Sequence, residues 1–295
     1  MSSVTVRVPA TTANLGPGFD CFGCALTLYT DLTLEESGAG LRITGCDPCY
    51  AGPDNLAYQA YLAVMQALGK APGGLAMHID AHIPVCRGLG SSAALLAAAA
   101  VGTNALHGSP LTTEQLLAVT TVMEGHPDNL APALLGGLTA AMMDGNRPLA
   151  ASFPLHPDWK FLAMVPEFPL STAKARAALP DRIPRTDGVF NVSHGALTLK
   201  ALELGDPALL RAALDDRLHQ NYRKHLIPGY DDIARIVADL GGAFCLSGAG
   251  PTLLCITRQD GLEAPLARQL AALPGGWQVL PLRAEPRGAF VLSSH

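Results

Sequence analysis

Residues 86–100, CRGLGSSAALLAAAA, join a loop of glycine and serine directly to a run of strong helix formers. The pattern predicts a helix that begins at Ser91 and follows Gly88 and Gly90, whose lack of a side chain lets the backbone approach an anion closely. The unpaired N–H groups and partial positive charge at a helix N-terminus bind phosphate without a lysine. The missing lysine of G-x-x-x-x-G-K-[S/T] therefore does not exclude a phosphate site. A serine-capped helix after a glycine turn is the alternative.

Two cysteine pairs suggest a second kind of site. Cys21 with Cys24, and Cys46 with Cys49, each form a C-x2-C pair, and the two pairs are separated much as in a zinc ribbon. The sequence between them includes LTLYTDLTLEE, which alternates like an ordinary strand, and a chain of 295 residues needs no metal to stabilise its core. We therefore interpret these cysteines as core thiols and loop residues, and predict that no zinc is bound.

Strands and helices in irregular order must position the loop at 86–92. The predicted strands of the first half are VTVRV at 4–8, LYTDLTLEE at 28–36, LAMHID at 75–80 and LTAAMM at 138–143. The predicted helices are 55–68, capped by Asp54, then 91–106 and 112–124. The glycine-rich segment TTANLGPGFDCFG joins the first two strands.

The pattern restarts after DGNRP at 144–148. The predicted strands of the second half are KFLAMVP, AFCLSG, TLLCI and WQVLPL, with several helices between residues 172 and 240. Because strands and helices do not alternate regularly, we predict an α+β fold of two lobes, residues 1–150 and 151–295.

The composition favours a protein that acts on small molecules. Charged residues make up 15% and hydrophobic residues 49% of the chain, and the net charge of −5 includes 20 scattered basic residues. This pattern predicts neither a nucleic-acid nor a membrane surface. The longest apolar run, residues 93–101, is too short to cross a bilayer. With no secretory signal in MSSVTVRVPA and an odd number of cysteines, we expect a cytoplasmic location and reduced thiols.

Three segments resemble the motifs of the GHMP kinases, the superfamily of galactokinase, homoserine kinase, mevalonate kinase and phosphomevalonate kinase. They are PATTANLGPGFDCFGCAL at 9–26, in the form typical of the homoserine kinases, PVCRGLGSSAA at 84–94 and LSGAGPTLLCI at 246–256. Three further segments are similar to the homoserine kinase type: EGHPDNLAPALLGG at 124–137, STAKARAALP at 171–180 and YRKHLIPGY at 222–230. The resemblance covers nearly the whole chain, with its motifs in the expected order.

The resemblance implies an N-terminal α/β lobe that carries the phosphate loop and a ferredoxin-like C-terminal lobe. It also implies transfer of the γ-phosphate of ATP to the side-chain hydroxyl of L-homoserine, giving O-phospho-L-homoserine on the route to threonine, by a homodimer. Two alternatives stay open. One is a GHMP kinase for another small alcohol, of the mevalonate or shikimate type, and the other is a nucleotide-binding sensor without activity.

Phosphoryl transfer depends on alignment and on neutralising charge on the phosphate oxygens. By resemblance, the residues that wrap the ATP phosphates are Pro84, Val85, Cys86, Arg87, Gly88, Leu89, Gly90, Ser91, Ser92, Ala93 and Ala94. Ser92 and Glu124 are the implied ligands of Mg2+, and hydroxyl and carboxylate oxygens suit this hard cation. A glutamate at a helix C-terminus opposes the helix dipole, which favours a metal ligand over a solvated carboxylate at position 124.

A pocket for zwitterionic homoserine needs acceptors for the ammonium, guanidinium for the carboxylate and amides for the hydroxyl. The residues that the resemblance implies for these roles are Asn14, Asp20, His126, Asn129, Arg176 and Arg223. Each also has an ordinary interpretation as a turn residue, a loop cap or a solvated charge. Asp128 is interpreted as a residue that orients the loop.

One position departs from the homoserine kinase pattern, because Asn221 stands where the resemblance predicts proline. No acidic residue stands out as a general base. The resemblance implies transfer without a dedicated base, which a loose transition state permits because the nucleophile needs little activation.

Overall fold

The computed structural model describes residues 2–38 and 40–294. The strands are β1 (Ser3–Ala13), β2 (Phe22–Ser37), β3 (Leu41–Thr44), β4 (Gly74–Ala81), β5 (Leu138–Asp144), β6 (Arg147–Phe153), β7 (Lys160–Val165), β8 (Ala243–Leu246), β9 (Leu253–Thr257), β10 (Gln278–Leu282) and β11 (Phe290–Ser294). The helices are α1 (Leu56–Ala67), α2 (Ser91–Leu106), α3 (Thr113–Glu124), α4 (Leu130–Leu135), α5 (Thr172–Ala177), α6 (Arg185–Leu204), α7 (Pro207–Ala213), α8 (Gln220–Arg223), α9 (Tyr230–Asp239) and α10 (Glu263–Leu270).

The first sheet has the order β11-β1-β2-β4-β3, and the hairpin β5–β6 extends it through a pairing of β5 with β2. Strand β1 alternates as the sequence predicts, with Val4, Val6 and Val8 turned into the core and almost fully buried. Side chains of successive strand residues point to opposite faces, so this alternation fixes which face of the sheet the helices cover.

Helix α2 packs on this sheet against β1 and β2. Its run of alanines is buried, and small side chains allow a helix to lie close to strands. The approach is close at Gly102, where a Cβ atom would lie 2.7 Å from Cδ1 of Leu34 on β2. Helix α2 therefore packs tightly on the sheet at this point.

The second sheet has the order β10-β7-β9-β8 and is antiparallel throughout. With the helices between β7 and β8 and helix α10 between β9 and β10, this arrangement is the β-α-β-β-α-β pattern of ferredoxin-like domains. Helices α9 and α10 bury Ile233, Val237, Leu266 and Leu270 in a separate core cluster of this lobe.

The chain crosses between the two sheets more than once. Strand β6 spans residue 150 and belongs to the first sheet, and β11 returns from the C-terminal half to pair with β1. The isolated pairing of Leu26 with Ala284 also joins the halves. A division of the chain near residue 150 stays a prediction; a division after β6 would keep the hairpin β5–β6 together, whereas β11 belongs to the first sheet in either case.

Several elements differ from those predicted from the sequence. Asn55, not Asp54, caps α1, because its side chain accepts from the backbone N–H of Ala57. The segment interpreted as a break after residue 144 contains β6, an edge strand that tolerates Pro148 because only one of its edges is paired. Within the described ranges, no helix combines the length and apolar character that a membrane crossing requires.

Candidate active site

The glycine-serine loop turns sharply before α2. Cys86, Gly88 and Gly90 all have left-handed backbones, with φ of 55°, 77° and 70°, and α2 begins at Ser91 as predicted. Gly90 occupies the N-cap position without a capping side chain. The first N–H groups of α2 are therefore not occupied by a side-chain cap and remain available to an anion.

The segments 9–26, 84–94 and 246–256 meet at this loop, although they are far apart in sequence. The backbone N–H of Thr11 donates to Leu89 O at 3.1 Å, and Oγ of Ser247 donates to Gly88 O at 2.6 Å. A carbonyl oxygen repels phosphate. Because Leu89 O and Gly88 O accept these hydrogen bonds, they are occupied by protein donors and not free to face an anion at the loop.

The two loop glycines are required by neighbouring protein atoms. A Cβ atom at Gly90 would collide with Oγ1 of Thr11, and one at Gly88 would collide with Ser247 O and lie 2.9 Å from Gly250 O. A side chain at position 90 would therefore fill space already taken by β1, not the space of the anion as the sequence suggests. Glycine is therefore required at position 90 by the close packing of the loop against β1.

Arg87 supports the loop with its side chain. Its Nε donates to Pro166 O at 2.9 Å, Nη1 donates to Val85 O at 3.1 Å, and Nη2 donates to Glu167 O. Pro166 and Glu167 directly follow β7, so the guanidinium ties the phosphate loop to the second lobe.

Ser92 and Glu124 lie side by side although they belong to different helices. Oγ of Ser92, in the first turn of α2, donates to Oε2 of Glu124, the last residue of α3, at 2.6 Å. Gly125 ends α3 with a left-handed φ of 89°. The arrangement brings a hydroxyl and a carboxylate to the phosphate loop, and this pair of oxygen donors fits a hard divalent cation.

A pocket of about 600 Å³ opens at this loop, a size typical of small-molecule sites. Ser92, Glu124 and all six residues predicted for substrate line it. The loop residues that also line it are Val85, Cys86, Arg87, Gly88, Gly90 and Ser91. Four residues predicted to wrap the phosphates do not line the pocket: Pro84, Leu89, Ala93 and Ala94. The last three are buried in the core.

Asn14 and Asp20 begin and end a tight loop and both have left-handed backbones, with φ of 69° and 52°. The side chain of Asn14 is used at both ends: Nδ2 donates to Gly248 O at 2.7 Å, and Oδ1 accepts from the N–H of Asp20 at 2.9 Å. The Asp20 carboxylate accepts two bonds of 2.9 Å from Arg176, which raise the pKa of that guanidinium. An ion pair thus lies in the pocket wall.

His126 and Asp128 form a second pair in the same wall. Nδ1 of His126 lies 2.6 Å from Oδ1 of Asp128, and this hydrogen bond raises the pKa of the imidazole. Asp128 also accepts from the N–H of Asn129, whose Oδ1 in turn accepts from Oγ1 of Thr11 at 2.8 Å. Asp128 is buried and lines the pocket, so it both orients the loop, as predicted, and faces the site.

Arg223 is the most deeply buried charge in the pocket wall, with 1% of its surface exposed. Its Nε donates to Ala175 O at 3.2 Å and its Nη1 to Gly248 O at 3.3 Å. It forms no ion pair with a carboxylate in residues 2–38 and 40–294, and burial lowers its pKa to about 10. A buried cation held only by neutral acceptors is costly unless an anion binds beside it.

The structure adds pocket residues that the sequence did not assign to the phosphate or substrate site. Between β3 and α1, the segment 45–56 contributes Cys46, Asp47, Tyr50 and Leu56 to the lining, and more than half of the Tyr50 surface is exposed. Apart from its turn-forming residues and the pair Cys46 and Cys49, which suggests only a zinc site, this segment carries no motif. The prediction that Cys21, Cys24, Cys46 and Cys49 bind no zinc stays a prediction, which metal analysis of the purified protein tests.

Comparisons with known proteins agree with this fold. Residues 55–137 match the family described as GHMP kinases N terminal domain, and residues 198–274 match GHMP kinases C terminal. The chain therefore belongs to the GHMP kinase family, and the predicted fold is confirmed.

Two curated relatives are named homoserine kinase. The protein from Nostoc punctiforme is 43% identical, with 97% of this chain and 95% of that protein covered. The protein from Clostridium botulinum is 41% identical, with 98% of each covered. A crystal structure of homoserine kinase from Cytophaga hutchinsonii superposes with a TM-score of 0.90 at 26% identity, covering 98% of this chain and 97% of that one.

Proposed function

We propose that the chain is an ATP-dependent homoserine kinase, which transfers the γ-phosphate of ATP to the side-chain hydroxyl of L-homoserine and yields O-phospho-L-homoserine for threonine biosynthesis. One observation carries the proposal: a single pocket holds the phosphate loop and, outside that loop, two guanidinium groups, one of which, Arg223, has no carboxylate partner among the described residues. A mevalonate-type alcohol also carries a carboxylate for Arg223 but has no ammonium, so the Asp20 carboxylate in the pocket lining favours an amino-acid substrate. Relatives named homoserine kinase over nearly the full length support the same substrate.

The phosphate loop binds and aligns ATP through backbone N–H groups of Gly88, Gly90 and the first turn of α2. Ser92 and Glu124 would hold Mg2+ through their hydroxyl and carboxylate oxygens, which already point at each other across 2.6 Å. When bound, Mg2+ neutralises charge on the phosphate oxygens. Their hydrogen bond must open to admit the ion, and a hydroxyl can rotate to allow it.

Arg223, together with Arg176, binds the substrate carboxylate, and Asp20 with the amide oxygen of Asn14 faces the ammonium. Because Arg176 already holds Asp20 through two of its five N–H groups, three donors remain for the substrate. The paired charges of Arg176 and Asp20 match the paired charges of a zwitterion. His126, Asp128 and Asn129 complete the wall on the side of the phosphate loop.

Each pocket carboxylate near the phosphate loop already accepts a hydrogen bond from a neighbour. The pairs are Asp20 with Arg176, Glu124 with Ser92, and Asp128 with His126. We propose a transfer without a dedicated base: the substrate oxygen forms a bond to the γ-phosphorus, the bond to the bridging oxygen of ADP breaks, and the hydroxyl proton leaves late to a phosphate oxygen.

The experiment is ADP release measured with homoserine, mevalonate and shikimate as acceptors, at saturating ATP and Mg2+. Homoserine should be turned over at least tenfold more efficiently than the others. Preference for mevalonate or shikimate would select the other small-alcohol kinase, and ATP binding without turnover of any acceptor would select the sensor. The homodimer, the cytoplasmic location and the lack of nucleic-acid and membrane partners remain predictions, and light scattering of the purified protein tests the first.

A further inference from the structure

His219 lies just outside the pocket, at the start of α8 and fully buried. Its Nε2 is 2.7 Å from Gly16 O. A carbonyl oxygen can only accept a hydrogen bond, so Nε2 must carry a proton. If the imidazole is neutral, its other nitrogen, Nδ1, is then an acceptor.

Nδ1 of His219 faces Arg223, with Nη1 of the guanidinium 3.4 Å away. The same Nη1 donates to Gly248 O, and Nε donates to Ala175 O. All three acceptors are neutral, so they fix the direction of the guanidinium without cancelling its charge. A carboxylate at position 219 would hold Arg223 equally well but would neutralise the cation before a substrate arrived.

The surroundings favour the neutral imidazole. Burial, as the largest cause, and the positive charge of Arg223 lower the pKa of His219, while the Asp216 carboxylate, 3.6 Å from Nε2, acts in the opposite direction. Asp216 is already engaged by the backbone N–H groups of residues 218–220 and by the side-chain amide of Asn191. Its charge is thus largely committed to backbone N–H groups at the start of α8 and to Asn191.

His219 also joins Arg223 to the loop of Asn14 and Asp20. The bond to Gly16 fixes the middle of that loop, and the imidazole stacks on Phe19 at 5.3 Å between ring centroids. The guanidinium of Arg223 lies 5.2 Å from the centroid of the same phenyl ring. One side chain therefore contacts both halves of the proposed amino-acid site.

We propose that His219 is a positioning residue for substrate selection, which directs Arg223 toward the substrate carboxylate through a neutral acceptor at Nδ1 and ties the loop of residues 14–20 to the same point through Nε2–H. The proposal rests on the proposed function, because it assigns the carboxylate of homoserine to Arg223. Positioning by a neutral group explains how a buried cation keeps its full charge for an anionic substrate.

Two variants separate the two contacts. The side-chain oxygen of His219→Asn can replace Nδ1 as the acceptor for Arg223 but does not reach Gly16, whereas the side-chain amide of His219→Gln can replace Nε2–H but leaves Arg223 without this acceptor. We expect His219→Gln to raise the KM for homoserine at least tenfold, and His219→Asn to raise it less than threefold. The KM for ATP should stay within twofold in both, because neither contact reaches the phosphate loop.

His82→Gln and His82→Asn are the matched controls, since the His82 side chain is 67% exposed and lies on the surface. Equal losses of homoserine use in the two His219 variants, or a parallel rise in the KM for ATP, would show that His219 only supports the fold and would overturn the proposal. Wild-type turnover of homoserine is measured first and tests the proposed function separately. If the wild type does not use homoserine, the proposed function fails independently of His219.

A measurement on the wild-type protein does not depend on the variants folding. In 15N-labelled protein, the imidazole shifts show which nitrogen of His219 carries the proton. We expect Nε2 to be protonated and Nδ1 to be bare, with the Nδ1 signal moving when homoserine is added in the absence of ATP. A proton on Nδ1 would contradict the proposal.

Discussion

The two sides of the pocket offer different means of binding an anion. On the phosphate side, residues 86–92 present backbone N–H groups, and the only guanidinium of the loop, Arg87, is directed at carbonyl oxygens. On the amino-acid side, recognition is proposed to come from the charged side chains of Asp20, Arg176 and Arg223. A backbone site is sensitive to whether the chain can adopt one conformation, whereas a side-chain site is sensitive to which charged group is present.

The difference predicts opposite responses to substitution. The phosphate side should fail when a glycine is replaced, because its conformation is lost, and should tolerate the loss of a nearby charge. The amino-acid side should fail even when charge is conserved, if the geometry of the donor changes. Substitutions on each side therefore test the comparison directly.

The largest effect is expected for Gly90→Val. A valine would have to adopt a left-handed φ of 70° and would place its Cβ against Oγ1 of Thr11, so the loop cannot keep its path along β1. We expect no ATP binding that calorimetric titration can detect. Gly145→Val is the matched control, because Gly145 also has a left-handed φ, of 59°, but a Cβ atom there would meet no atom of the described residues within 4 Å. Equal ATP binding by the two variants would contradict a loop specified by its conformation.

Glu124→Gln should lower kcat by at least about a hundredfold with the fold intact. Glutamine keeps an oxygen that can accept from Ser92, so the helices stay in place, but it removes the charge proposed to bind Mg2+. The measurement is steady-state turnover across a magnesium titration, with thermal unfolding as the check on folding. Glu114→Gln, at the opposite end of α3, is the control. Normal turnover of Glu124→Gln at saturating magnesium would leave Glu124 as a hydrogen-bonding partner of Ser92 alone.

The same contrast explains what the sequence could predict. The loop and helix of residues 86–106 follow from local chemistry, a glycine turn followed by strong helix formers, and the structure begins and ends α2 at the predicted residues. The contacts of the amino-acid side join Asp20 to Arg176 and Thr11 to Asn129, which are 156 and 118 residues apart. No local pattern encodes such pairs, so only the resemblance to a family could bring their members together before the fold was known.

Two elements that the sequence did not predict both lack a clear hydrophobic alternation. Strand β6 has the sequence RPLAASF. Because it is an edge strand, it tolerates an early proline and exposed polar residues, and these obscure the alternation. The pocket segment 45–56 is a loop with a short 3-10 helix at Pro48–Tyr50 and no hydrophobic period at all. The segment lines the pocket only because β3, β4 and α1 place it there, and the positions of these elements depend on the whole sheet.

Arg223→Lys should weaken the use of homoserine on the amino-acid side although the charge is retained. A planar guanidinium can hold a carboxylate through two parallel bonds and lysine cannot. The lost stabilisation of roughly 1.5–3 kcal/mol should lower kcat/KM for homoserine by about 10- to 150-fold. Nucleotide titration should give nearly the wild-type affinity for ATP. An acceptor that lacks the carboxylate should be used poorly by both proteins. If the wild type uses that acceptor as well as homoserine, Arg223 does not bind a substrate carboxylate.

The smallest effect is expected for Arg87→Ala, although Arg87 lies within the phosphate loop and carries a positive charge. Its guanidinium is committed to Pro166, Val85 and Glu167, so it does not supply the charge that the phosphates meet, and the loop amides remain after its removal. Each of these hydrogen bonds contributes on the order of 1 kcal/mol to the loop, but none of them is made to ATP, so their loss should loosen the loop and weaken ATP binding by less than about tenfold. The measurement is a nucleotide titration of Arg87→Ala beside Gly90→Val and Arg223→Lys. A loss of ATP binding as complete as that of Gly90→Val would contradict a phosphate side whose loop amides suffice without the Arg87 side chain.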